Sequence, residues 1–96
     1  MTIEKTSSGN TVTLSLDGWL DYDAAPELKE ALDKLGSDVT ALVLDCSKLE
    51  YISSSGVRVF VYGYNKMNGA IRLVHVPADI LEVLSITGAA NQIPIE

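Results

Sequence analysis

The sequence has little of what secreted, membrane-spanning or nucleic-acid-binding proteins usually carry. Cys46 is the only cysteine, so the chain cannot form an internal disulfide. No apolar run approaches the ~20 residues of a membrane-spanning helix, and no basic-then-apolar leader opens the chain. The formal charge of −6 disfavours nucleic acid and anionic membrane as main partners. We therefore expect a cytoplasmic protein that binds neither of them.

Residue patterns for catalysis are equally scarce. His75 is the only histidine and lies in an alternating strand pattern, and no Gly-x-Ser-x-Gly turn surrounds the serines. The chain lacks the two Gly-rich phosphate-binding motifs, Gly-x-Gly-x-x-Gly and the Gly-Lys-Ser phosphate loop. Cys46 and His75 form no metal-ligand cluster. A small buried residue is the ordinary role for Cys46. We expect no catalytic residue, no metal and no cofactor, and hence no enzyme activity.

What the sequence does contain is a regular alternation of apolar patterns. Its 96 residues are 47% hydrophobic, which predicts one folded domain over residues 1–96. The predicted order is ββαβαβαβ, with a mostly parallel sheet and an N-terminal antiparallel hairpin in an α/β fold. The predicted strands are 3–7, 11–16, 40–46, 70–76 and 92–95. Three helices are predicted. The first ends at Gly36, which serves as a left-handed cap, the second spans residues 54–67, and the third ends at Gly88.

Three consecutive serines, Ser53 to Ser55, stand between an apolar strand and a helical pattern, with a flexible glycine, Gly56, next. The first turn of a helix has unpaired N–H groups that a serine oxygen can accept from. A simple cap explains one hydroxyl, and capping remains the alternative explanation for the cluster. We predict that Ser53 caps the helix and that Ser54 stays exposed, where the helix dipole favours an added phosphate.

A second polar segment, from Trp19 to Asp23, precedes the first helix. We expect Asp21 or Asp23 to cap that helix. Trp19 is either a lid over the sheet end or an exposed anchor for a partner. Loops at the carboxyl ends of parallel strands collect at one sheet edge. If the preceding strands are parallel neighbours, this segment shares a surface with the Ser54 turn.

These segments resemble the signatures of bacterial anti-sigma factor antagonists, the single-domain STAS proteins. The resemblance covers nearly the whole chain. The weaker signature is Gly18-x-Leu20-Asp21 followed by Ala25-Pro26-Glu27-Leu28. The more specific signature is Leu42-Val43-Leu44-Asp45-Cys46-Ser47 followed by Tyr51-Ile52-Ser53-Ser54-Ser55-Gly56.

The resemblance implies partner switching. The unphosphorylated antagonist binds an anti-sigma factor that is also a serine kinase, so that a sigma factor is released. The kinase uses ATP to phosphorylate the antagonist, and a metal-dependent serine phosphatase reverses the modification. The accepting serine of the family matches Ser54, and Asp21 matches a residue at the kinase-facing surface. The expected partner-binding residues are Trp19, Asp21, Tyr22, Ser53, Ser55 and Gly56.

Two features depart from the family pattern. Ser53 stands where the best-known members have aspartate, and the final helix that members often carry is absent. The alternative function is a STAS regulatory or structural subunit of a transporter or stress-signalling assembly, without a phosphorylation cycle. The serine at position 54 favours the switch.

Overall fold

In the computed structural model, which describes residues 1–96, three α-helices lie against one face of a four-stranded sheet. The elements in chain order are β1 (Thr2–Ser8), β2 (Thr11–Leu20), α1 (Ala25–Asp33), β3 (Ala41–Ile52), α2 (Ser54–Lys66), β4 (Ile71–Val74), α3 (Ala78–Ile86) and a 3-10 helix (Ala89–Asn91). The strand order is β1-β2-β3-β4, with β1 antiparallel to β2 and the other pairs parallel. The predicted α/β class with an N-terminal hairpin is confirmed.

A single hydrophobic cluster joins the sheet to the helices. Alternate strand residues such as Leu14 and Leu44 point into it and are buried. Leu28 of α1, Phe60 of α2 and Leu84 of α3 enter the same cluster and have no exposed surface. Because all three helices contribute to this cluster, the opposite face of the sheet carries no helix.

Strands β2 and β3 run further than the sequence pattern predicts. β2 continues beyond the predicted end at Leu16, and β3 continues beyond Cys46 as far as Ile52. Two register shifts interrupt their pairing, both within residues 15–19 of β2. At each shift β3 carries one residue more than β2, so the buried residues of its extension recur at every third position and the alternation typical of a strand is lost there. Trp19 therefore lies in a strand and not in the predicted loop.

The left-handed cap predicted at Gly36 is wrong. Helix α1 ends at Asp33, and its last carbonyls accept from the N–H groups of Lys34 and Leu35 in a tightened final turn. This arrangement needs no residue with a positive φ, and the φ of Gly36 is not positive. The predicted helix end at Gly88 is confirmed, since Gly88 directly follows the cap of α3, and its φ of 84° is left-handed.

The predicted last strand is reduced to one parallel bridge between Leu73 and Ile95. The Leu73 N–H donates to the Pro94 carbonyl at 2.9 Å, and the Glu96 N–H donates to the Leu73 carbonyl at 2.9 Å. This segment covers part of the outer edge of β4. None of the helices is long and apolar enough to cross a membrane.

Candidate partner-binding site

The carboxyl ends of β2 and β3 bring the two polar segments side by side. Leu20 pairs with Ile52 in the parallel register. Beyond this pair, the Ser53 N–H and the Ser53 hydroxyl both donate to the Leu20 carbonyl, at 2.9 and 3.2 Å. The serine turn (residues 53–56) is thereby held next to the Asp21 loop (residues 21–24). The topological condition for a shared surface is met.

Within the serine turn, the three hydroxyls have different surroundings. Ser53 is the N-cap of α2, and its oxygen accepts from the Gly56 N–H at 3.2 Å, as predicted. Ser54 is the first residue of the helix and is exposed, whereas Ser55 is half-buried. The cap is therefore provided without the Ser54 hydroxyl, which is left accessible at the positive end of the helix.

Ser54 and Ser55 face two different surface depressions on the two sides of α2. Ser55 lies on the α1 side, in a depression lined also by Tyr22, Asp23 and Arg58. Ser54 lies on the α3 side, in a depression that Arg58 also lines. Arg58 thus lines both depressions, a placement that the sequence pattern did not predict. Its spacing of four residues from Ser54 was the available signal.

Gly56 is required by close packing and not by flexibility. Its φ is not positive, and it is buried inside the first turn of α2. A Cβ atom at this position would lie 2.7 Å from Leu20 Cγ, 2.9 Å from Ile52 Cγ1 and 2.9 Å from the Leu20 carbonyl oxygen. Because these contacts are shorter than van der Waals distances, only glycine lets the helix start sit directly on the ends of β2 and β3.

In the Asp21 loop, one of the two candidate carboxylates has a structural role. Asp21 Oδ1 accepts from the Ala24 N–H at 2.9 Å, and the Asp21 carbonyl accepts from the Ala25 N–H at 2.9 Å. Asp21 therefore caps the turn that leads into α1, while Ala24, the N-cap residue itself, has no capping side chain. Asp23 is exposed and leaves its negative charge at the surface.

Two aromatic side chains stack beside these segments. Trp19 is 57% exposed, and its ring centroid lies 4.9 Å from that of Tyr51. Both residues precede buried ones, Leu20 and Ile52, so they project from the sheet face that carries no helix. Trp19 is thus an exposed aromatic and not a lid over the core. Tyr22 is 77% exposed at the Asp21 loop.

The remaining chemically active side chains are engaged elsewhere. His75 Nδ1 lies 3.3 Å from Asp45 Oδ1, and the Ser47 backbone N–H lowers the pKa of the Asp45 carboxyl. Burial raises the pKa of the Cys46 thiol to about 12, which keeps it protonated and unreactive. No group of three or more His, Cys, Asp or Glu side chains is placed to hold a metal ion.

Comparison with known proteins agrees with this architecture. An anti-sigma factor antagonist from Mycobacterium paratuberculosis is 24% identical with a TM-score of 0.87, over 98% of this chain and 83% of that one. A putative antagonist from Thermotoga maritima is 21% identical with a TM-score of 0.84, over 97% and 84%. The Bacillus cell fate determinant SpoIIAA in its phosphorylated form is 17% identical with a TM-score of 0.76, over 99% and 91%. At these identities the likeness establishes the fold.

The sequence itself identifies the family. A search of the curated proteins found no significant match. The family model described as "Mlab, STAS domain", however, matches residues 3–95. Because this match spans nearly the whole chain, the protein belongs to the STAS family.

Proposed function

We propose that the protein is a cytoplasmic anti-sigma factor antagonist whose binding to its partner is controlled by phosphorylation of Ser54. The observation that carries the proposal is the division of labour in the serine turn. Ser53 caps α2, so the exposed Ser54 hydroxyl is free to be modified without loss of the cap. The similar structures named as anti-sigma factor antagonists support this role, and one of these proteins, SpoIIAA, is also known in a phosphorylated form.

The chain supplies only the acceptor in the proposed reaction. A partner that is both anti-sigma factor and serine kinase transfers the γ-phosphoryl group of ATP to Ser54 Oγ. An O–P bond forms at the serine, the bond from the γ-phosphorus to the bridging oxygen breaks, and ADP leaves. The hydroxyl proton goes to a base of the kinase. A metal-dependent serine phosphatase hydrolyses the ester and restores the hydroxyl.

Charge explains how the modification would end the complex. A phosphate adds about −1.5 to −2 charges at pH 7, next to a loop that carries Asp21 and Asp23 in a protein of net charge −6. The start of α2 tolerates the dianion, so the fold is kept. A like charge buried in an interface costs several kcal/mol, and a loss of ~2.8 kcal/mol already weakens binding about 100-fold.

The proposed partner surface combines the serine turn with the exposed side chains around it. Trp19 and Tyr22 offer aromatic area, which often anchors protein interfaces, and both are more than half exposed. Asp21, Ser53 and Ser55 contribute polar groups at the same sheet edge. Gly56 is buried and serves this surface by holding the helix start in place.

The alternative is a STAS subunit of a transporter or stress-signalling assembly without a phosphorylation cycle. Two observations favour this alternative. The matching family model is described as Mlab and not as an anti-sigma factor antagonist, and Ser53 replaces the aspartate expected before the accepting serine. Family membership alone does not separate the two roles, because one fold serves different functions.

Co-purification from the native cell, with mass spectrometry of partners and phosphosites, tests the proposal. We expect an anti-sigma factor with a kinase domain, and phosphate on Ser54 after incubation of the complex with ATP. The variant Ser54→Ala should remain unmodified while Ser53→Ala is still phosphorylated. Phosphate on Ser53 or Ser55, or recovery with transporter subunits and no phosphate, would contradict the proposal.

A further inference from the structure

We propose that Arg58 holds the phosphate of phosphorylated Ser54 in an ion pair along one side of α2. This inference rests on the proposed function, because it concerns the modified form of Ser54. It starts from the position of Arg58, four residues after Ser54 on the same helix. Residues at this spacing are neighbours on a helix surface.

The direction of helical side chains favours this pair. Each Cα–Cβ bond in an α-helix is tilted toward the N-terminus, so the Arg58 side chain leans back toward the first turn. A negative group four residues before a positive one is also the more favourable order. Ser54 and Arg58 line the same depression, together with Val57, Val61 and Thr87.

Arg58 is free to take this role. The side chain is exposed, and the four ion pairs of the protein involve other cations: Lys29, Lys34, Arg72 and His75. An arginine guanidinium is well suited to the task because its planar fork can bind two oxygens of one phosphate.

Arg58 is the only charged residue that lines the depression of Ser54. On the α3 side, the depression around Ser54 contains only the neutral hydroxyl of Thr87 besides residues of α2. On the α1 side, Asp23 and Lys29 line the other depression, which Ser55 and Arg58 share. No carboxylate lines the depression of Ser54, so none competes there for the guanidinium.

The pair would fix the orientation of the phosphate and favour its dianionic form. A cation beside a titrating group stabilises the more negative state and lowers the pKa of that group. The second pKa of the phosphate, near 6 for a free phosphoserine, should therefore be lower in the folded protein when Arg58 is present.

The test uses phosphoserine installed at position 54 by genetic encoding, followed by pH titration with phosphorus NMR. Arg58→Gln should raise the second pKa of the phosphate by about 0.5 unit, and Arg58→Lys should restore most of the lower value. Arg72→Gln is the matched control, since it removes the same charge from β4, where Arg72 pairs with Glu96 at 2.9 Å. It should leave the phosphate pKa unchanged.

An unchanged phosphate pKa in Arg58→Gln, or an equal rise in Arg72→Gln, would overturn the inference. The result does not depend on any kinase, because the phosphoserine is incorporated during synthesis. Failure of the proposed function would instead be seen in the phosphosite mapping of the natural complex. The two failures are therefore distinguishable.

Discussion

At the scale of single residues, Gly56 fixes the position of the serine turn. The site of its missing side chain is occupied by Leu20 and Ile52, the last residues of the two strands that precede the polar segments. Any larger residue must push α2 away from these strand ends. The exposed Ser54 hydroxyl and the Asp21 loop are held together by this contact.

We predict that Gly56→Ala lowers the free energy of unfolding by about 1–3 kcal/mol, because a methyl group overpacks against a backbone oxygen that cannot move aside. Gly63→Ala on the same helix is the control. Its Cβ would lie 3.3 Å from Leu32 Cδ1, a side-chain atom that can shift, and alanine improves helix propensity. Urea unfolding measures both. Equal stability of Gly56→Ala and wild type would contradict the packing argument.

The buried thiol of Cys46 predicts a pH dependence of stability. Its pKa is raised by burial from 9.0 to about 12, so the unfolded chain loses this proton at lower pH than the folded chain does. The thiol contribution to stability is therefore complete below pH ~9 and falls as the pH rises toward 12. The free energy of unfolding of wild type relative to Cys46→Ala should decrease over this range, and a constant difference would contradict the prediction.

At the scale of elements, the start of α2 contains one serine with a structural role, Ser53, and one that is exposed, Ser54. We predict that Ser53→Ala lowers the free energy of unfolding by about 1 kcal/mol, because it removes the cap of the Gly56 N–H. Ser54→Ala should change stability little, since Ser54 is exposed. Chemical denaturation compares the two variants. A larger loss in Ser54→Ala would mean that the roles are reversed.

The element order and the hairpin follow from apolar periodicity, but the lengths of β2 and β3 do not. Leu14 alternates with half-buried residues, and Leu44 ends a run of three buried apolar residues that begins at Leu42, so both strands are plainly marked. The two register shifts place extra residues in β3, within residues 46–50, and interrupt its alternation there. They depend on cross-strand pairing between segments about thirty residues apart, which local periodicity cannot detect.

The site was predictable where local chemistry decides it. The N-cap at Ser53 follows from the position of a hydroxyl before a helix. The pairing of Trp19 with Tyr51 needed the register of two bulged strands, and the position of Arg58 beside both depressions needed the packing of three helices. These features depend on tertiary contacts, so the sequence pattern did not identify them.

At the scale of the whole molecule, the partner surface is expected to combine aromatic area with negative charge. We predict that Trp19→Ala weakens binding of the anti-sigma factor by about 2 kcal/mol or more, because an exposed aromatic at a hot spot buries a large area on docking. Ile86→Ala is the control, since Ile86 is an apolar residue on α3 that is more exposed than Trp19.

Isothermal titration calorimetry gives the affinities, and thermal unfolding checks that both variants are folded. Trp19→Ala should keep a melting midpoint close to that of wild type, because the side chain lies outside the hydrophobic core cluster. Wild-type affinity in Trp19→Ala, or an equal loss in Ile86→Ala, would remove Trp19 from the proposed surface.

The most direct measurement compares the dissociation constants of the anti-sigma factor for two forms of the chain, one with serine and one with genetically encoded phosphoserine at position 54. We predict that phosphoserine weakens binding about 100-fold or more and leaves the melting midpoint close to that of the unmodified chain. Equal dissociation constants for the two forms would contradict control of this protein by phosphorylation of Ser54.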